Sequence, residues 1–101
     1  MKTVKLIRDK LTPADSTVGA VEPGSALHQA LIVAKMHEEV QEIAADLGNV
    51  DEYGDLLELL VSLGRMNGHS LADMVAASDA KREKNGGFAT ARVLAREQDS
   101  V

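Results

Sequence analysis

The sequence predicts an all-α fold: an antiparallel helical hairpin followed by a third helix, with a four-helix bundle completed when a second copy of the chain dimerises with the first. Three observations predict it. The 45% hydrophobic content comes almost wholly from Leu, Val, Ala, Ile and Met, with only Tyr53 and Phe88 as aromatics, a mixture that favours helices packed on helices. Cap and stop residues bracket three segments of helical length. The first two segments are joined by only one or two residues, so they must fold back on each other.

Residues 1–24 read as an irregular arm, opening with a short strand at Thr3 to Ile7 and punctuated by Pro13, Gly19, Pro23 and Gly24. Ser25 then caps a first helix that runs to about Leu47, with Gly48 as its stop. Asn49 is the next cap, and with Glu52 three residues later it resembles a capping box. The second helix, about Val50 to Asn67, carries Leu56, Leu57, Leu59, Leu60, Val61, Leu63 and Met66, apolar nearly all round. Burial on several sides follows, and a hairpin with one short helix does not easily supply it. A dimer of hairpins does.

Gly68 ends the second helix, and Ser70 with Asp73 opens a third that runs to about Lys84 before Asn85, Gly86 and Gly87 stop it. The helical core is thus 25–85, and residues 86–101 are a tail, as a short helix or an extended segment. At 101 residues the chain reads as a single domain, one of a size that buries only about two-thirds of its unfolded surface.

Several functional classes are excluded by composition. Without cysteine there is neither a disulfide framework nor a thiolate metal site. The net charge of -5 argues against a nucleic-acid polymer as partner, because backbone phosphates demand a broad basic surface. No segment has the length and apolarity to span a membrane, and the charged N-terminus does not read as a signal peptide, so a cytoplasmic location is expected.

Charge is also segregated along the chain. No Lys or Arg falls between Lys35 and Arg65, whereas eight of the 16 acids do: Glu38, Glu39, Glu42, Asp46, Asp51, Glu52, Asp55 and Glu58. Four cations lie within the first ten residues and five more between Lys81 and Arg96. Glu39 and Glu42 are three apart, as are Glu52 and Asp55, so each pair shares a helix face. Across a tight hairpin the last turns of the first helix meet the first turns of the second, which brings four or five carboxylates near one point. Carboxylates within about 4–6 Å of one another repel and take up protons unless a cation intervenes. Oxygen-only ligands suit Mg2+, with Mn2+ as the second choice, and magnesium is usually shared with substrate phosphates. Basic residues of the arm and tail beside such an ion would clamp a polyphosphate. A carboxylate-bridged di-iron centre is disfavoured, because no histidine lies three after a glutamate.

Four blocks in order resemble the all-alpha nucleoside triphosphate pyrophosphohydrolases, especially their short MazG-like and phosphoribosyl-ATP-pyrophosphohydrolase-like members. KLIRDKL at Lys5–Leu11 is similar to the opening block of that family, and EEVQE at Glu38–Glu42 to its Glu-Glu-x-x-Glu motif. EYGD at Glu52–Asp55 is similar to its Glu-x-x-Asp motif, and KREKNGGF at Lys81–Phe88 to the closing basic block. The resemblance implies that Glu39, Glu42, Glu52 and Asp55 hold magnesium, and that Glu38 is a further ligand or orients the attacking water. Glu38 and Glu39 are then the catalytic pair. It further implies that Lys5, Arg8, Lys10, Lys81 and Lys84 hold phosphates. The implied reaction cleaves a nucleoside triphosphate between its α and β phosphates, giving a nucleoside monophosphate and pyrophosphate. Members work as dimers or tetramers, similar to house-cleaning enzymes that remove unwanted nucleotides. Only nine residues separate Glu42 from Glu52, fewer than in many members, and Gly54 stands where alanine is common. Phosphoribosyl-ATP hydrolysis is the nearest enzymatic alternative, and a non-enzymatic helical dimerisation or regulatory module the other.

Overall fold

In the computed structural model, which describes residues 4–97, the regular elements are three α-helices: α1 (Ala26–Ala45), α2 (Val50–Met66) and α3 (Leu71–Asn85). No strand occurs among the described residues. The expected opening strand is therefore absent over residues 4–7, where the backbone is irregular; Thr3 lies outside the described residues. A strand needs a ladder partner, and the arm continues instead through turns in which Leu11 N–H donates to the Arg8 carbonyl (3.1 Å), Ser16 N–H to Pro13 (3.3 Å) and Ser25 N–H to Glu22 (3.1 Å).

The helix ends are set by the residues the sequence marks. Ser25 Oγ accepts from His28 N–H at 3.1 Å and caps α1. Asn49 Oδ1 accepts from Asp51 N–H at 3.0 Å and caps α2. The capping box expected with Glu52 gives way to other contacts: Asn49 N–H donates to Asp46 O (3.1 Å), and a Glu52 carboxylate oxygen lies within 4.8 Å of those of Glu39 and Asp55. At the end of α2, His69 N–H donates to Gly64 O (2.8 Å) and Gly68 N–H to Arg65 O (3.2 Å), the paired bonds of a Schellman motif. That motif puts Gly68 at φ 84°, where a side chain would strain the backbone.

α1 ends earlier than expected. Asp46 leaves helical geometry with its N–H still on Glu42 O and Ile43 O, so residues 46–49 join the helices rather than one or two. Asn49 N–H closes this turn on Asp46 O (3.1 Å), and the Tyr53 hydroxyl donates to Leu47 O (2.8 Å), tying the loop to α2. At the opposite end of the hairpin Asn67 Nδ2 donates to Gln29 Oε1 (3.1 Å). The two helices therefore run antiparallel.

The core of the hairpin is thin. Ile32 and Val61 are the buried apolar side chains among the described residues, whereas Val33, Val40, Leu47, Val50, Leu57 and Leu60 are all exposed. These exposed residues are patterned. Ala30, Val33, His37, Val40 and Ala44 on α1, continued by Leu47 in the connecting turn, and Val50, Tyr53, Leu57 and Leu60 on α2, continued by the half-buried Gly64, alternate three and four apart, the spacing of a helix-packing seam.

Residues up to Leu71 form one compact unit and those from Ala72 another. Within the second unit, α3 has no buried residue, carries an Arg82–Asp79 ion pair at 2.9 Å and ends where Gly86 N–H donates to Arg82 O with Gly86 at φ 82°. The tail beyond it is irregular through residue 97, with Phe88 fully exposed. No helix among the described residues is long and apolar enough to cross a membrane.

Candidate metal centre

Glu39 lies two turns before the end of α1, and Glu52 and Asp55 lie in the first turns of α2. Hairpin closure brings these turns together, and one carboxylate oxygen from each of the three residues lies within 4.8 Å of the others. Glu39 is only 8% exposed, and its Oε2 is enclosed without a hydrogen-bond partner. A buried acceptor left unsatisfied costs about 1–3 kcal/mol, and more when charged. Such an oxygen facing two further carboxylates has the chemistry of a cation ligand.

The proton affinities report the same crowding. Glu52 is held above the ordinary carboxylate value of 4.5, first by partial burial, then by its hydrogen bond to Glu39, and then by the negative charges of Glu39, Glu42 and Asp55. Glu38 is held below the ordinary value, chiefly by its hydrogen bond to Lys5 and then by the positive charges of Lys35 and Lys5. The two acids are thus shifted in opposite directions, Glu52 by crowding with other acids and Glu38 by neighbouring lysines.

The remaining predicted site residues are placed as follows. Glu42 is exposed and outside the three-carboxylate cluster, although its charge reaches Glu52. Glu38 lines a smaller cleft with Lys5 and Lys35. Lys5 Nζ donates to Glu38 Oε1 at 3.0 Å, and Arg8 Nη2 donates to Asp55 Oδ1 at 2.5 Å, so two predicted phosphate ligands pair with acids. Lys10 is exposed on the arm, and Lys81 and Lys84 are exposed on α3, in the second unit.

Between the arm and the hairpin runs a groove of about 620 Å³. One wall is the α1 series His28, Ile32, Lys35 and Glu39, the other the α2 series Asp55, Leu59, Ser62 and Met66. Both series follow the four-three-four spacing of a single helix face. His28 precedes Glu39 by eleven positions, so the groove extends about 16 Å from the acidic cluster at 1.5 Å per residue. His28 Nδ1 accepts from Gly24 N–H (2.9 Å), which leaves Nε2 to carry the proton of the neutral ring. Lys35, His28 and Ser62 are groove residues to which the sequence reading assigned no role. Lys35 had a signal, since it precedes Glu38 and Glu39 by three and four and so shares their helix face. Ser62 and His28 had none, because only the packed arm and hairpin bring them into one groove.

No protein-family model matches the chain, and no curated protein or solved structure matches it significantly. The assignment of function rests on the site itself.

The raised Glu52 value gives a pH prediction. Between 4.5 and the raised value the folded state binds more protons than the unfolded one, so stability falls as pH rises through that window. Glu38 acts oppositely and below 4.5, where stability is lost as pH falls through its lowered value. Melting temperatures of the metal-free protein, scanned upward from pH 4.5, are expected to decline first, and Glu52→Gln is expected to flatten that decline. A slope unchanged in the variant would assign the proton to another group.

Proposed function

We propose that the protein is a magnesium-dependent nucleoside triphosphate pyrophosphohydrolase that removes unwanted nucleotides. One observation carries this reading: the buried, unpartnered Glu39 Oε2, grouped with Glu52 and Asp55 at one end of a groove of small-molecule size. The donor set fits the ion, since carboxylate oxygens alone suit a hard divalent cation and exclude a soft one. Glu39, Glu52 and Asp55 would hold it, with Glu42 joining from the solvent side. Bound there, magnesium supplies positive charge that offsets the phosphate oxygens and the charge developing on the leaving pyrophosphate. Manganese would substitute.

The chain's own residues have separable tasks. Glu38, kept ionised by Lys5 and Lys35, is an acceptor that orients the attacking water rather than a store for its proton. Lys5, Arg8, Lys10 and Lys35 are the cations of the arm and first helix available to phosphate oxygens. The far end of the groove, with Ile32, Leu59 and Met66 as apolar lining and His28 and Ser62 as polar groups, has the character of a nucleoside site. The exposed seam on both helices supports a homodimer, or a dimer of dimers, whose four helices form the bundle.

A panel of standard and modified nucleoside triphosphates, incubated with magnesium and scored for pyrophosphate against orthophosphate, tests the activity. Pyrophosphate release by the parent and its loss in Glu39→Gln are expected. Orthophosphate as the product would remove α–β cleavage, and turnover of phosphoribosyl-ATP alone would move the enzyme to that reaction. If magnesium neither supports turnover nor stabilises the fold, a helical dimerisation module is the better description. Filling the nucleoside end with Ser62→Leu is expected to raise KM about tenfold, from roughly 1.4 kcal/mol of lost binding, with kcat little changed.

A further inference from the structure

We propose that the arm is a cationic strap, in which the Arg8 guanidinium and a divalent ion compete for Asp55, so that an ion taking that carboxylate displaces Arg8 and frees residues 8–11 from the hairpin. The proposal rests on the metal reading above and adds a competitor for the ion within the same chain.

The geometry is specific. Arg8 Nη2 is 2.5 Å from Asp55 Oδ1, and Asp55 is one of the three residues whose carboxylate oxygens converge within 4.8 Å. A guanidinium is a permanent monocation, so Arg8 offsets part of the negative charge of the cluster. It is an incomplete counter-ion, because Glu39 Oε2 stays buried without a partner. A divalent ion among the three carboxylates satisfies that oxygen and repels the guanidinium at once.

Release of the strap costs little. Both of its ion pairs, Lys5–Glu38 and Arg8–Asp55, are between 38% and 55% exposed at every side chain, and pairs this wet contribute weakly. They also brace different helices, Glu38 on α1 and Asp55 on α2, so the arm crosses the hairpin where the acids converge. Arg8 stands first in the turn closed by Leu11 N–H, and Lys5, Leu6, Ile7, Arg8, Asp9 and Leu11 line the groove. Displacing the turn therefore opens the groove at its acidic end and leaves the Arg8 guanidinium unpaired beside it. The same ion that completes the site would also admit the ligand.

A guanidinium that instead positions Asp55 for the metal predicts the opposite sign, so direction decides. Binding of Mn2+, followed by the paramagnetic signal of the free ion, is to be measured for the parent, for Arg8→Gln, and for Arg65→Gln as a control that removes an equal charge ten residues along α2. Arg8→Gln is expected to tighten Mn2+ about threefold to fivefold, the range of an exposed ion pair, while Arg65→Gln leaves affinity unchanged. In the parent, magnesium is expected to speed tryptic cleavage after Lys10, and in Glu39→Gln to have no effect on it. Equal or weaker Mn2+ binding by Arg8→Gln, or protection of Lys10 by magnesium, overturns the strap and leaves the metal centre standing. Binding by neither parent nor Arg8→Gln removes the metal centre and the strap together.

Discussion

Glu39→Gln is expected to abolish the thermal response to magnesium while making the metal-free fold more stable. An ion that binds only the folded state, at a hundred times its Kd, stabilises by about 2.7 kcal/mol. In a domain near this size each kcal/mol moves Tm by about 4–8 °C, so the parent should gain roughly 10–20 °C. The glutamine keeps the shape of Glu39 but exchanges one buried oxygen for an amide that donates to its acidic neighbours. One negative charge fewer in the cluster should then raise metal-free stability by about 1 kcal/mol. The opposite signs matter, since a merely damaged core loses stability in both states. Calorimetry with magnesium and with chelator reads both, and a variant that keeps the shift of the parent would show that the ion binds elsewhere.

Leu57→Glu is expected to abolish the self-association proposed through the exposed seam, weakening it by at least about 10³-fold. Leu57 is 50% exposed in the single chain and central in the α2 seam between Val50 and Gly64. At 3.6 residues per turn that seam lies opposite the groove residues Asp55, Leu59, Ser62 and Met66. The substitution therefore leaves the acidic cluster untouched. In a symmetric bundle each carboxylate enters twice, and burying an unpaired charge costs about 3–5 kcal/mol. Sedimentation across a concentration series checks the effect, with circular dichroism confirming that the helices persist. Parent protein that sediments as a monomer at the highest concentrations would remove the bundle.

Much of the hairpin was legible because its signals are local. Ser25 and Asn49 cap where their side chains reach backbone N–H groups two or three residues on, and Gly68 and Gly86 stop helices by adopting positive φ. The end of α1 was misplaced because Asp46 leaves the helix before Gly48 requires it to, a choice fixed by the turn to Asn49 and by Tyr53 on Leu47 O. The opening strand failed for a related reason: a short stretch specifies no strand without a ladder to join.

Helix type, the caps and the separation of acids from cations were determined by the sequence alone, since each depends on residues within a turn or two. Which carboxylates converge was decided only by the tertiary structure. Spacing treats Glu39 and Glu42 as equivalent members of one helix face, yet packing against α2 buries Glu39 and leaves Glu42 in solvent. Packing likewise set Lys5 on Glu38 and Arg8 on Asp55, pairings 33 and 47 residues apart in the chain. Burial and long-range charge pairing depend on what another segment places against a side chain, and no local pattern encodes that.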